Sequence, residues 1–170
     1  MFWLDALVQV HLKQEYPSYG TTDYREPAFE ILQENGSRIS DFVYESHKIY
    51  DGKPELQGLP AVYVEEKEEA QTLEIILRDS LTGAKMTLYY TIMRDFPVIT
   101  RSMNLENDGD QSFDLTRAMS ACLDLPDKDY EWIQLSGAWA REREIKTRKL
   151  EQGIQSVSYT HLTLPTTSRV

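Results

Sequence analysis

Apolar positions recur with a period of two along most of the middle of this chain. Residues 72–78 and 85–93 each alternate apolar and polar side chains on either side of a polar turn at 79–83. Residues 99–105 and 113–123 repeat the pattern around Asp108-Gly109, a pair typical of hairpin turns. Because successive side chains of a strand point to opposite faces, each pair of segments predicts an antiparallel hairpin.

A third hairpin is predicted from residues 28–33 and 38–46, which flank Asn35-Gly36. Hairpins at even spacing, with no long amphipathic helix between them, predict an all-β fold and an antiparallel β-sandwich. Two segments depart from the pattern. The Glu-rich residues 64–71 fit either a strand extension or one helical turn, and residues 16–27 fit an ordered, irregular loop.

Composition narrows the classes of protein that are possible. The chain has 170 residues, enough for one ordinary domain, and a net charge of −10. That charge excludes nucleic acid and an anionic membrane as partners, since both require a positive surface. No apolar run is long enough to span a membrane, and residues 1–14 lack the basic start of a signal peptide. The lone Cys122 cannot form an internal disulfide, so we expect a reducing cytoplasm.

Few residues carry a recognisable chemical signature. The chain has no phosphate-binding glycine loop, no G-x-S-x-G motif and no H-E-x-x-H motif. His47 could act as an acid or base, although a lone strand histidine is more often a surface or packing residue. We interpret Cys122 as a core residue rather than a nucleophile. Asp124, Asp127 and Asp129 could suit Ca²⁺, but they lack the glycine and closing Glu of an EF-hand and favour a solvated connection.

The segment from residue 129 to 149 is richer in chemistry. It contains Trp132 and Trp139, and Ser136-Gly137-Ala138 lead into the second indole. An indole flanked by small residues can stack on the C–H groups of a sugar, while neighbouring Arg and Glu bind hydroxyls. A Trp buried between two sheets, beside an ion-paired strand, explains the same residues. Strict alternation would place Arg141 and Arg143 on one face and Glu142 and Glu144 on the other.

Several runs of this sequence resemble one known family, the amino-terminal domain of bacterial α-galactosidases of glycoside hydrolase family 36. The most specific run is GAWARERE at residues 137–144. The others are QEYPSYGTTDYREPA (14–28), ENGS (34–37), GKP (52–54), GLPAVYVE (58–65), TLEI (72–75) and VITRS (98–102). The resemblance covers about residues 14–156 without an obvious gap.

The resemblance implies a truncated β-sandwich domain that precedes a catalytic (β/α)₈ barrel in the family. The parent activity is retaining hydrolysis of terminal α-galactose from melibiose, raffinose and related oligosaccharides, without a metal or organic cofactor. Both catalytic aspartates belong to the barrel, so this chain by itself is expected to be inactive. Among its own residues, the resemblance makes Trp139 a substrate-binding residue, with Arg141 and Arg143 as neighbouring candidates. The family commonly forms homotetramers through these sandwiches.

The two ends of the chain depart from the family pattern. Residues 1–13 are an uncertain start, and residues 157–170 are similar to a translated sequencing adapter, so we expect a non-native tail. We therefore expect a fragment of an α-galactosidase that supports the barrel, mediates subunit contacts and places one indole near galactose. The alternatives are a free-standing carbohydrate-binding module and a purely structural oligomerisation domain.

Overall fold

The computed structural model describes residues 14–20, 26–56, 58, 62–119, 121–126, 128–138 and 141–151. These residues form strands and one short 3₁₀ helix, which confirms the all-β prediction. The strands are β1 (Phe29–Gln33), β2 (Phe42–Asp51), β3 (Ala70–Asp79), β4 (Ala84–Met93), β5 (Ile99–Asn107), β6 (Phe113–Ala118), β7 (Glu131–Ala138) and β8 (Arg141–Lys149). The chain divides into two compact units, the first ending at Asp124 and the second beginning at Leu125.

Strands β2 to β5 form a four-stranded antiparallel sheet in their chain order. The hairpin predicted from residues 72–78 and 85–93 is confirmed as β3 and β4, in which Ile75 lies opposite Leu88 and Leu77 opposite Met86. Met86 in turn lies opposite Leu105 of β5. Because the side chains alternate, these residues share one apolar face of the sheet.

A two-stranded sheet of β1 and β6 covers that apolar face. Phe29 and Ile31 of β1 are almost fully buried and form the core with Met86 and Leu88 of the larger sheet. The ring of Tyr16 stacks on Phe29, with 5.5 Å between the ring centroids. Two sheets that bury their apolar faces against each other make the first unit an antiparallel β-sandwich, as the sequence predicts.

Two of the three predicted hairpins are wrong in their pairing. Strand β5 pairs with β4 whereas β6 pairs with β1, so the turn at Asp108-Gly109 joins strands of different sheets. The turn at Asn35-Gly36 likewise joins β1 to β2 in the opposite sheet, although Gly36 has a positive φ of 80°, as hairpin turns often do. Alternation and turn residues identify strands and reversals. They do not fix the partner of a strand, which depends on the sheets that bury its apolar face.

Strand β6 ends at Ala118 and does not continue to residue 123 as the alternation predicts. Its partner β1 is only five residues long, and Phe29, the first residue of β1, already pairs with Ala118, so β1 has no residue left to pair with a longer β6. Cys122 therefore lies outside a strand. It is half-buried and packs against the core, which confirms the interpretation of its side chain as a core residue.

Residues 64–71 contain both of the structures that their sequence allows. A 3₁₀ helix covers Lys67–Glu69, and β3 begins immediately after it at Ala70. The N–H of Gly52 donates to the carbonyl of Ala70 at 2.7 Å, which ties the end of β2 to the start of β3. Within the described part of the chain, no helix has the length and apolar character needed to cross a membrane.

Candidate functional site

The predicted site residues belong to the hairpin of β7 and β8 in the second unit. Ala138 pairs with Arg141, so residues 139 and 140 connect the two strands. Trp139 lies outside the described residues. Arg141 is described as the first residue of β8, but its side chain lies outside the description. Arg143 is described in full, and its side chain is exposed.

A β-bulge interrupts this hairpin close to its connection. Ser136 pairs with Glu144 and Ala138 with Arg141, so Gly137 of β7 lies opposite two residues of β8. One of those two, Arg143, has a φ of 62°, the left-handed conformation that an L-residue adopts at a cost of about 1–2 kcal/mol. The extra residue breaks the strict alternation that the sequence predicts for residues 141–144.

One face of the β7–β8 hairpin is apolar and open. Leu135 pairs with Ile145, and Ile133 follows two residues away on the same face. Their exposed fractions are 47%, 69% and 67%, respectively. On the other face the guanidinium of Arg148 lies 5.7 Å from the ring centre of Trp132. We call Ile133, Leu135 and Ile145 the open face of the hairpin. An isolated pair of strands with an uncovered apolar face is only marginally stable in water.

A second polar arrangement, which no pattern in the sequence indicates, lies in the first unit around Arg101. The guanidinium carbon lies 5.0 Å from the ring centre of Tyr16 and 5.2 Å from that of Tyr90. The same group is within 3.5 Å of the Glu15 carboxylate and donates to the carbonyl of Cys122. We call Arg101, Glu15, Tyr16 and Tyr90 the Arg101 cluster.

Burial favours the protonated form of both phenols in the Arg101 cluster. Burial raises the pKa of Tyr90 to about 12, opposed by the positive charge of Arg101 and assisted by the carboxylate of Glu15. Burial also raises the pKa of Tyr16. Both hydroxyls donate, Tyr90 to Glu15 at 3.1 Å and Tyr16 to the carbonyl of Met119 at 2.6 Å. The cluster therefore ties Glu15, Tyr16, Met119 and Cys122 to the large sheet. Its groups are engaged with one another.

An apolar cleft of about 330 Å³ adjoins the Arg101 cluster between the two sheets. Aromatic rings line much of it, namely those of Tyr16, Phe29, Phe42 and Tyr90. Aliphatic core residues such as Ile75, Leu77 and Met86 contribute the rest of its apolar wall, and the polar residues of its lining are Gln14, Glu15, Ser18, Ser40 and Asp41.

A further polar cluster lies on the opposite face of the four-stranded sheet. The ammonium of Lys48 is 3.0 Å from the carboxylate of Glu74, which is nearly buried. Burial, followed by the charge and hydrogen bond of Glu74, raises the pKa of Tyr50 to about 12. These groups satisfy one another, so the cluster stabilises the sheet surface.

The remaining candidates from the sequence stay apart from one another. His47 lies on the exposed strand β2, where its Nδ1 is 2.6 Å from the hydroxyl of Tyr44. Of the three carboxylates considered for Ca²⁺, Asp127 lies outside the described residues. The described residues bring no three His, Cys, Asp or Glu side chains together in a group that could hold a metal ion.

The first unit is thus a β-sandwich of two antiparallel sheets, and the second unit contains a bulged hairpin with an exposed arginine. These features define the class of the protein, an all-β domain that contains a β-sandwich. The chain belongs to the glycosyl hydrolase family 36 N-terminal domain family, whose profile matches residues 5–161.

Relatives with this domain include two bacterial enzymes. The α-galactosidase AgaA of Geobacillus stearothermophilus is 51% identical over 155 residues, which cover 91% of this chain and 21% of the enzyme. The α-galactosidase Mel36A of Lactobacillus acidophilus is 42% identical over 86% of this chain and 20% of its own length. The chain therefore spans about a fifth of the length of these relatives.

Solved structures agree with these sequence relationships. The crystal structure of the Geobacillus enzyme AgaA superposes with a TM-score of 0.83 at 52% identity, covering 86% of this chain and 20% of that chain. A variant of the same enzyme in complex with raffinose superposes with a TM-score of 0.82 and the same coverage. The α-galactosidase of Lactobacillus brevis superposes with a TM-score of 0.82 at 40% identity, covering 87% of this chain and 20% of its own.

Proposed function

We propose that this chain is the non-catalytic N-terminal domain of an α-galactosidase. The observation that carries the proposal is its 51% identity over 155 residues with the Geobacillus α-galactosidase AgaA. The parent enzyme would release terminal α-D-galactose from melibiose and raffinose-type oligosaccharides by a retaining mechanism, with both carboxylates supplied by the barrel and without a cofactor. The domain proper comprises residues 14–156, a range contained in the family match.

Within that enzyme the β7–β8 hairpin contributes to the substrate pocket. Trp139 stacks on the galactoside, and Arg141 and Arg143 are the neighbouring hydrogen-bond donors. The exposure of Arg143 beside a bulge supports this role, because bulges often lie next to functional sites. Stacking on one ring contributes about 1–3 kcal/mol, by analogy with bases on aromatic side chains. The chain by itself should bind raffinose no more tightly than millimolar.

A domain exchange tests the proposed function. Residues 14–156 replace the matching segment of the Geobacillus enzyme AgaA, and the release of galactose from raffinose is measured. If residues 14–156 support the barrel, the chimera should release galactose. Deletion of the same segment from AgaA should give an inactive enzyme. An inactive but soluble and folded chimera would contradict the proposal. Raffinose binding to the isolated chain well below millimolar would instead favour a free-standing carbohydrate-binding module.

The domain would also mediate subunit contacts in a homotetramer. The open face of the hairpin supports this role, since Ile145 and its neighbours expose apolar side chains that a subunit contact would cover. Ile145→Asp in the chimera should dissociate the tetramer, whereas Ile49→Asp, at a similarly exposed strand position, should not. Light scattering after gel filtration measures the outcome. A tetramer unaffected by Ile145→Asp would contradict the assignment.

We place the parent enzyme in the cytoplasm. Cys122 is a free, half-buried thiol, which suits a reducing compartment. Cell fractionation with an antibody against this domain tests the location, and recovery in the medium or envelope fraction would contradict it.

A further inference from the structure

Three turns of the first unit meet at one end of its sandwich. They join β1 to β2, β3 to β4, and β5 to β6. A cavity of about 300 Å³ lies between the second and the third of these turns. A neighbouring cavity of about 260 Å³ lies against the first and the third, and the two cavities share Gln33, Ser112 and Phe113. We call the two cavities together the turn groove.

The buried Asp79 holds the turn between β3 and β4. Its carboxylate accepts from the N–H of Leu81 at 3.1 Å and from the hydroxyl of Thr82 at 2.7 Å. The N–H of Gly83 donates to the carbonyl of Asp79 at 2.9 Å. These hydrogen bonds fix the wall that the turn contributes to the groove, and they set the position of the Thr82 hydroxyl.

Side-chain hydrogen bonds also hold the other two turns. The amide of Asn107 donates to the carbonyl of Gln111 at 2.9 Å and accepts from the N–H of Gly109 at 3.1 Å. The hydroxyl of Ser112 donates to the carboxylate of Glu34 at 2.6 Å, which joins the third turn to the first. Groups that are held in place before a ligand arrives lose less conformational entropy on binding, so the groove is preorganised.

The turn groove combines several kinds of hydrogen-bonding group with apolar surface. Amides, hydroxyls and a carboxylate line its larger cavity, namely those of Gln33, Thr82, Asp110, Gln111 and Ser112. Leu81 and Phe113 contribute apolar side chains to the same cavity. Amides and hydroxyls both donate and accept, as the hydroxyls of a sugar do, and an aromatic ring can pack on the C–H groups of a sugar. This combination suits a saccharide.

The charge of the turn groove selects against anions. Glu34, Asp110 and Asp114 contribute carboxylates to the two cavities. No Lys, Arg or His is among the described residues that line either cavity. A phosphate or a carboxylate would therefore meet like charge, whereas a neutral hydroxyl can donate a hydrogen bond to a carboxylate.

We propose that the turn groove is a binding site for a neutral oligosaccharide. Hydroxyls of the ligand form hydrogen bonds with Gln33, Asp110 and Gln111, and Phe113 contacts one of its C–H faces. The larger cavity lies at the lower end of the range for small-molecule sites, about 300–1,000 Å³, and the adjoining cavity leaves room for further sugar units. The inference goes beyond the proposed function, because none of the lining residues belongs to the hairpin of β7 and β8.

A titration of the chain itself with raffinose, followed by NMR of the backbone amides, tests the site. Saturable shifts with half-saturation in the millimolar range are expected at Thr82, Gly83 and residues 109–112. Asp110→Ala should weaken binding at these amides by about tenfold, because the ligand loses a hydrogen bond to a charged group. Asp95→Ala, the same substitution in the exposed turn between β4 and β5, should leave the affinity unchanged. Both aspartates are exposed, so both variants should keep the spectrum of the folded chain.

Inorganic phosphate and Ca²⁺ test the two classes of charged ligand on the same amides. Phosphate should give no saturable shift, since it meets the carboxylates of the groove. Ca²⁺ should give none either, because the described residues bring no three metal-binding side chains together. Saturable shifts with either ion, in the absence of shifts with raffinose, would identify an ion site and overturn the inference.

The outcomes separate this inference from the proposed function. Raffinose shifts confined to the amides of β7 and β8 would overturn the inference and support the proposed pocket. Equal affinities at the groove amides in Asp110→Ala and Asp95→Ala would also overturn it. An inactive chimera with the Geobacillus enzyme would contradict the proposed function alone, because the titration uses this chain by itself.

Discussion

At the scale of single residues, Arg101 shows how a charged side chain can serve the core of a sandwich. Its position in β5 faces the smaller sheet, where alternation favours an apolar residue. The rings of Tyr16 and Tyr90 both lie close to the guanidinium, and the side chain of Arg101 is only 10% exposed. The cation thus contacts two aromatic rings and also donates a hydrogen bond to the carbonyl of Cys122.

Replacement of Arg101 should destabilise the domain strongly. Arg101→Met keeps a long side chain but loses both ring contacts and leaves the carbonyl of Cys122 without its donor. We expect a loss of about 2–3 kcal/mol in the free energy of unfolding, measured in urea. Arg94→Met, at an exposed position in the turn after β4, should change stability by less than about 0.5 kcal/mol. Similar effects of the two substitutions would contradict the role of Arg101.

Tyr90 predicts how stability depends on alkaline pH. The pKa of Tyr90 is raised to about 12 in the folded chain, whereas that of an unfolded tyrosine is near 10. Between pH 10 and pH 12 the folded state therefore binds the phenol proton more tightly than the unfolded state does. The contribution of this proton to the free energy of unfolding is complete below pH 10 and is lost as the pH rises through 12. Urea midpoints measured from pH 8 to 12 should therefore fall less steeply in Tyr90→Phe. Tyr63→Phe, at a residue that is 77% exposed, should follow the parent curve. Identical slopes for all three proteins would contradict this assignment.

At the scale of elements, the strands follow from their residues but their pairing does not. Alternation in β3 and β4 predicts both strands and their hairpin, since consecutive strands with a short polar turn fold back on each other. The same signals fail for β5 and β6, because the turn after Asn107 passes from one sheet to the other. In a sandwich, β5 and β6 bury the same apolar side chains whether they pair with each other or lie in opposite sheets. The local pattern of apolar residues therefore cannot distinguish the two arrangements.

The turn after β3 and the turn after β5 approach each other closely. Gly83 lies in the turn after β3 and Gly109 in the turn after β5. The backbones of these two glycines are in contact. A β-carbon on Gly109 would collide with the carbonyl oxygen of Thr82. Gly109→Ala should therefore cost about 1–3 kcal/mol, as overpacking does, and the loss should appear in urea unfolding.

Gly36→Ala is the matched control for that substitution. Gly36 has a φ of 80°, but a β-carbon there meets nothing within 4 Å. Gly36→Ala should lower the free energy of unfolding only by the cost of a left-handed alanine, about 1–2 kcal/mol. If Gly109→Ala were tolerated without loss, the close approach of the two turns would be refuted.

At the scale of the whole molecule, the fold class follows from the sequence more fully than the site does. The run at residues 137–144 singles out the hairpin, and the hairpin forms. The bulge at Gly137 could not be predicted, because it depends on the register between two strands. The Arg101 cluster was also missed, since its members come from separate segments of the chain that only the fold brings together.

We propose above that this domain supports the catalytic barrel of an α-galactosidase and contributes the indole of Trp139 to its pocket. The most direct test is the kcat/KM for raffinose of the chimera with the Geobacillus enzyme, with Trp139 present and with Trp139→Ala. We predict an active chimera that loses about tenfold or more in kcat/KM on removal of the indole, from a contact of about 1–3 kcal/mol. A folded chimera without activity, or one whose kcat/KM is unchanged by Trp139→Ala, would contradict the claim.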